Sequence, residues 1–196
     1  YVIPMDGDGE DRPEEIKEFL NQIENSNNKT LIGERVKRSE NLFFRVCYLL
    51  HRVITLTFTG KLIKFGNYTC LPKTTVEKMV NEKATWNSFS GSLSKIEKNL
   101  VPVPSIRGTR YFGPSKMSFY NLIKHSLSII SVFRNNFLIR SALFIILYIL
   151  LIKSNASIIT AIPLVFLLIA VYAVSNLALR ENMEEFEKSL DNISNI

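Results

Sequence analysis

Between Ser154 and Leu179 the chain carries no charged side chain, and from Ile158 to Val174 it is almost entirely Ile, Leu, Val, Ala and Phe. A helix of that length crosses the hydrocarbon core of a bilayer, which is about 30 Å thick. A second apolar run, Phe137 to Ile152, is interrupted only by Arg140, close enough to its start for the guanidinium to snorkel to the interface. The alternative for the pair is a buried helical hairpin in a soluble core, and the charge-free length weighs against it. Only Lys153, Ser154, Asn155 and Ala156 separate the runs, so a tight hairpin with both outer ends on one side is expected. Lys116, Lys124, Arg134 and Arg140 precede the hairpin and Arg180 follows it, against Lys153 alone in the turn. By the positive-inside rule the bulk of an integral membrane protein of this pattern is cytoplasmic, at the inner cell membrane. Pro163 is tolerable in the second helix, since a neighbouring helix compensates the lost hydrogen bond.

The opposite end of the chain reads YVIPMDGDGED. Val2, Ile3 and Met5 have the length and apolarity of a buried strand, and Gly7 and Gly9 break it at once. Such a strand presents its acids at the carboxyl edge of the sheet, where open α/β sheets bind ligands. Asp6, Asp8 and Glu10 supply the hard oxygen ligands that Mg2+ or Mn2+ takes when it bridges protein to diphosphate. The alternative is a solvated acidic turn leading into a helix, with Asp11 as the cap ahead of Pro13, Glu14 and Glu15. The two are compatible, Asp11 capping while Asp8 binds metal. An EF-hand calcium loop is excluded, because it needs Gly where Asp11 stands and a bidentate acid where Lys17 stands.

The 196 residues suffice for one domain, and 46% hydrophobic content excludes a disordered class. The net charge of +6 is uneven: the first two dozen residues are acidic and Lys29 to Arg140 is strongly basic. A basic body beside a membrane hairpin suits anionic headgroups or phosphate-bearing substrates, and no nucleic-acid module is recognisable. Cys47 and Cys70 fit no CxxC pattern and read as core thiols in a reducing compartment. The chain opens without Met in what reads as mid-strand, with no signal peptide, so it is expected to be the C-terminal part of something longer.

Periodicity predicts an amphipathic helix over Pro13 to Ile23, with Ile16, Phe19, Leu20 and Ile23 inward, then a polar turn and a short strand at Leu31 and Ile32. A basic loop, GERVKRSE, carries Arg35, Lys37 and Arg38, either as a solvated connector or for phosphate. A helix follows from Asn41 to Phe58, its apolar face suited to membrane surface or core alike. Gly60 to Leu71 reads as turn and strand, Lys73 to Asn81 as helix, and Leu100 to Pro104 as an extended segment confined by its prolines to a sheet edge or outside. Arg107 to Lys116, RGTRYFGPSK, combines two guanidinium forks, two aromatics, a Gly-Pro pair and a lysine, the makings of a mobile phosphate-binding lid or a positive juxtamembrane flank. Met117 onward is an amphipathic helix suited to the interface, and Arg180 to Ile193 a charged tail helix.

Three of these segments, MDGDGEDRPEEI, FGNYTCLP and RGTRYFGPSKM, together with the hairpin, resemble in order the C-terminal part of a membrane-anchored family 2 glycosyltransferase. The likeness is to the branch of dolichyl-phosphate mannose synthase and bacterial polyprenyl-phosphate glycosyltransferases. It implies an α/β fold: residues 1–116 as part of a GT-A (Rossmann-like) catalytic domain, 117–135 as a juxtamembrane amphipathic helix, 136–180 as two transmembrane helices and 181–196 as a cytoplasmic tail. It implies an enzyme that transfers a sugar, with inversion, from a nucleotide-diphosphate donor to a polyprenyl phosphate, with Mg2+ or Mn2+ as cofactor. Carried over by position, Asp6 contacts the donor, Asp8 and Glu10 hold the metal, Arg35 and Arg38 lie in the acceptor loop, and Arg107, Arg110 and Lys116 lie near phosphates. Asp6, Asp8, Arg110 and Lys116 form the implied catalytic set. Glu10 stands where many relatives have Gln. The implied partners are the nucleotide sugar, the polyprenyl phosphate and the lipid bilayer, with a homo-oligomer left open and nucleic acid excluded.

A phosphate acceptor is already anionic, so it needs orientation and charge screening more than a general base. That accounts for abundant Arg and Lys; His51 and His125 fall in helices, where a structural role is expected. The family's first half is missing, so the isolated polypeptide is expected to lack activity, and donor turnover by it would refute this. A processive polysaccharide synthase is excluded: its QxxRW motif cannot be assembled from Gln22 and Trp86, the only Gln and Trp. A non-catalytic membrane anchor or scaffold is the reading from another class.

Overall fold

A computed structural model describes residues 1–37, 42–113, 118–184 and 188. Arg38, Lys116 and most of the expected tail helix lie outside the described residues; between Arg180 and Glu184 only Met183 and Glu184 are helical.

Leu31, at the start of strand β1 (Leu31–Lys37), is fully buried and locates the core. β1 pairs antiparallel with β2 (Thr69–Cys70) and parallel with β3 (Val101–Ile106), giving the order β2-β1-β3 in a mixed α/β fold. The segment expected as a basic loop is therefore largely strand, and Arg35 sits on β1 opposite Ser105. β3 is the edge strand its prolines predict. The Val101 N–H donates to Thr30 O, 3.0 Å, so residues 101, 103 and 105 face β1. In a parallel ladder the alternate residues, Pro102 and Pro104, then turn their main chain outward, where a missing N–H costs nothing.

The expected buried strand over Val2 to Met5 does not form. Val2 exchanges two hydrogen bonds with Leu71, 2.9 and 2.8 Å, as a single bridge, and half its surface is exposed. The next bonded position along an antiparallel ladder would be Pro4, which has no N–H to continue it.

One sheet face is covered by α1 (Ile16–Asn25), entered through a 3₁₀ turn over Pro13–Glu15. Phe19 is buried against Leu31, Tyr68, Cys70 and Val103, its ring edge-on to Tyr68 at 5.0 Å. Leu20, expected inward, is exposed. The other face buries Ile32 and Leu71 against α3 (Lys73–Asn81) and α4 (Phe89–Ile96). No periodicity predicted α4, because its buried face is Ser90, Gly91, Ser92, Leu93 and Ser94. Small residues let it approach closely: a Cβ on Gly91 would lie 2.9 Å from Val132 Cγ2. Ser88 Oγ caps this helix by accepting from the Gly91 N–H, 3.2 Å. Ser88→Ala is expected to cost about 1 kcal/mol, measured as a lowered midpoint in denaturant.

The helical part comprises α2 (Leu42–Thr59), α5 (Phe119–Ser131), α6 (Arg134–Ile152) and α7 (Ile158–Ala178). The last two are long and apolar enough to cross a membrane, and both are mostly exposed, unlike core helices of a soluble protein. Ser157 and Thr160 form a capping box that starts α7 directly after the tight turn. α5, expected to lie along an interface, buries its last turn through Ile129 and Ile130. Asn87 ties the two parts together, donating to Ser131 Oγ at 2.6 Å and Leu177 O at 3.0 Å. Arg140 does more than snorkel: its Nη1 donates to Thr57 O, 2.7 Å, capping α2. Cys70 is a core thiol as expected, whereas Cys47 is only half-buried.

Candidate functional site at the carboxylate turn

Residues 7–10 form a tight turn in which Gly9 takes φ +90°, a conformation that favours glycine. The turn is closed from inside. The Asp6 N–H donates to Asp11 Oδ2 at 3.0 Å, and the Glu10 N–H to Asp8 Oδ1 at 3.0 Å. Asp11 therefore braces the loop rather than capping a helix; the 3₁₀ turn has Arg12 at its N-cap and no side-chain cap. Asp11 is buried, and that burial pushes its carboxyl pKa up, an effect the Asp6 N–H and Arg35, 3.7 Å away, only partly oppose.

The stretch expected as a mobile lid is docked on this turn over its described part. Ser105 Oγ donates to Glu15 Oε2 at 2.7 Å and the Ile106 N–H to Glu15 Oε1 at 2.8 Å. The Gly108 N–H donates to Glu10 O at 2.8 Å, and the Tyr111 N–H to Asp8 O at 2.9 Å. Tyr111 lays its ring on Gly9, where a Cβ would come within 2.8 Å of it. Gly108 is still closer, since a Cβ there would run into the Gly9 carbonyl oxygen.

Docking brings the charges together. Glu10 Oε1 accepts from Arg110 Nε at 2.7 Å, Glu10 Oε2 pairs with Arg107 Nη2, and Arg110 Nη2 lies 3.2 Å from Asp8 Oδ2. Burial alone would raise the Glu10 pKa, but the two guanidiniums more than offset it and hold the carboxyl below its ordinary 4.5. Arg110 is correspondingly raised by its bond to Glu10. Behind them Tyr68 donates to Arg12 O at 2.8 Å, and burial with Glu15, Asp11 and Glu14 nearby pushes its phenol up to about 12.

Of the residues expected at a site, Asp8, Glu10, Arg107 and Arg110 are thus in mutual contact, Arg35 joins them through Asp11, and Asp6 stands exposed at the turn. Glu15, Tyr68 and Tyr111 were missed as members. Only the aromatic beside Arg110 carried a sequence hint of this. The set offers two hard carboxylates on one turn and two guanidinium forks opposite. Among the described residues no group of three or more His, Cys, Asp or Glu could hold a metal. The four oxygens of Asp8 and Glu10 are engaged by the Glu10 N–H, Arg107 and Arg110. No family model, curated protein or solved structure matches the chain.

Proposed function

We propose that the chain belongs to a membrane-bound GT-A glycosyltransferase that moves a sugar from a nucleotide diphosphate to a polyprenyl phosphate at the cytoplasmic face. The observation that carries this reading is the meeting of Asp8 and Glu10 with Arg107 and Arg110 across about a hundred residues of sequence. Each of the two motifs is weak alone; in contact they juxtapose oxygen ligands and phosphate donors as diphosphate chemistry requires. The apolar hairpin beside a basic body supports a lipid-phosphate acceptor and a cytoplasmic orientation.

In this reading Asp8 and Glu10 would hold Mg2+ or Mn2+, and Arg107 and Arg110 would bind the donor's phosphates. The metal supplies charge neutralisation for the diphosphate leaving group. Asp6, exposed at the turn, contacts the donor sugar or nucleoside, and Arg35 screens the acceptor phosphate. Arg38 and Lys116, outside the described residues, are assigned to phosphate by the resemblance alone. With the acceptor oxygen already anionic, orientation replaces a general base.

A second reading, a non-catalytic membrane scaffold, is favoured by one observation: both Glu10 oxygens are already satisfied by arginines, as in a purely structural latch. Binding separates the two. Titrating Mn2+ with a nucleoside diphosphate into the full-length protein in nanodiscs is expected to show joint binding that Asp8→Ala abolishes. No affinity in the wild type, or equal affinity in Asp8→Ala, removes the enzyme reading.

A further inference from the structure

The polarity of α2 is inverted. Its protein-facing side carries Thr55 and Thr59, both buried, with Tyr48, His51 and Arg52 half-buried beside them. Thr59 Oγ1 donates to Thr55 O at 2.6 Å, Thr55 Oγ1 lies 3.4 Å from His51 Nδ1, and the Arg52 guanidinium lies 5.8 Å from the Tyr48 ring centre, with its buried Nε left without a hydrogen bond. The outward side carries Val46, Leu49, Leu50, Val53, Ile54 and Leu56, each 44–57 % exposed. In water an amphipathic helix turns its apolar stripe to the core. Here the stripe faces away from every element that α2 touches.

The neighbour of α2 indicates what covers this stripe. α2 packs on α6, with Phe58 against Phe137 and Phe144 at 5.5 and 6.2 Å. Arg140 and Asn136, in the first two turns of α6, hold the last carbonyls of α2, Thr57 and Thr59. The exposed stripe of α2 therefore lies beside the first two turns of α6, where a mostly exposed candidate membrane span begins. A crevice of about 250 Å³ between the end of α2 and α6 is lined by Thr57, Phe58, Arg140, Leu143, Phe144 and Leu147. Arg45, exposed on α2, and Arg134, exposed at the start of α6, add charge suited to anionic headgroups.

We propose that the outward face of α2 is a lipid-contact surface, embedded in the headgroup and upper acyl region of the leaflet that the N-terminal turns of α6 enter. α2 is then a third membrane element, lying in the interface rather than spanning it. This goes beyond the catalytic reading and holds whether or not the chain transfers a sugar.

The natural chain has one tryptophan, Trp86, outside α2. The test uses Leu50→Trp in a Trp86→Phe background, reconstituted in phosphatidylcholine and phosphatidylglycerol vesicles with brominated acyl chains. The expected result is loss of most of the fluorescence to lipids brominated near the headgroup, little loss to aqueous iodide, and an unquenched Trp86 in the wild type. Val53→Trp gives a second reporter at another exposed position, so one poorly folding variant does not decide the matter. Quenching by iodide alone would put the face in water. Protection from both quenchers would mean that protein covers it, a second copy or another chain. Either outcome overturns the proposal.

Discussion

Gly108→Ala is expected to lift the arginine-bearing segment off the carboxylate turn. The new Cβ would meet the Gly9 carbonyl oxygen, a backbone atom that cannot swing aside as a side chain would. Gly9 itself is held by its φ of +90° and by the Tyr111 ring packed on it. The strain of forcing a methyl group into such a contact is about 3 kcal/mol. Undocking sacrifices the bonds from Gly108 to Glu10 and from Tyr111 to Asp8 together with the arginine pairs. Those contacts lie beyond the end of β3, where the Arg107 and Arg110 side chains are about a quarter exposed, so a local opening that leaves the sheet folded is the expected response. Hydrogen exchange at the Tyr111 amide should accelerate by about two orders of magnitude, the equivalent of that strain. Exchange within β1 should be unaffected. An unchanged Tyr111 amide would show that the turn yields instead.

The second large effect concerns Glu10 and carries a pH dependence. Its folded pKa is depressed below 4.5, so its contribution is fully present above the unfolded value and is lost as pH falls through the folded one. Protection of the Gly108 and Tyr111 amides should therefore hold from neutral pH down to about 4.5 and decline below it. Glu10→Gln should weaken protection at neutral pH by about 1–2 kcal/mol, a figure reduced from that of buried charged bonds because the arginines are partly solvated. It should also abolish the decline. Asp11 acts in the opposite sense. Its pKa is raised above 3.8, so its stabilising contribution is present below that value and is lost as pH rises through the folded one. The two oppose each other in global stability, and site-resolved exchange is what separates them.

The two long apolar helices were legible in the sequence because an unbroken apolar run is local information. α1 and α3 were legible through helical spacing, although Leu20 shows that a residue at the edge of a stripe can fall outside the contact. The edge position of β3 followed from its prolines. Pro4 carried the same information about Val2 to Met5, where the apolar letters outweighed the missing N–H. α4 was illegible because it packs through serines and a glycine, which carry no hydrophobic period. Of the site, the participants Asp8, Glu10, Arg107 and Arg110 were legible by residue type. Their pairing was not, because it spans nearly a hundred residues and depends on two glycines permitting backbone contact. Asp11 was misassigned because an acid before Arg-Pro has the local signature of a cap, while its partner, the Asp6 N–H, lies upstream.

The outer margin of β3 has a consequence for how copies of this protein behave beside one another. An unpaired strand edge is a template for sheet growth between molecules. At Pro102 and Pro104 the outward-facing main chain has no N–H to offer an incoming strand. An incoming strand therefore finds no donor at those two positions, and the two prolines that mark the end of the sheet also blunt its edge.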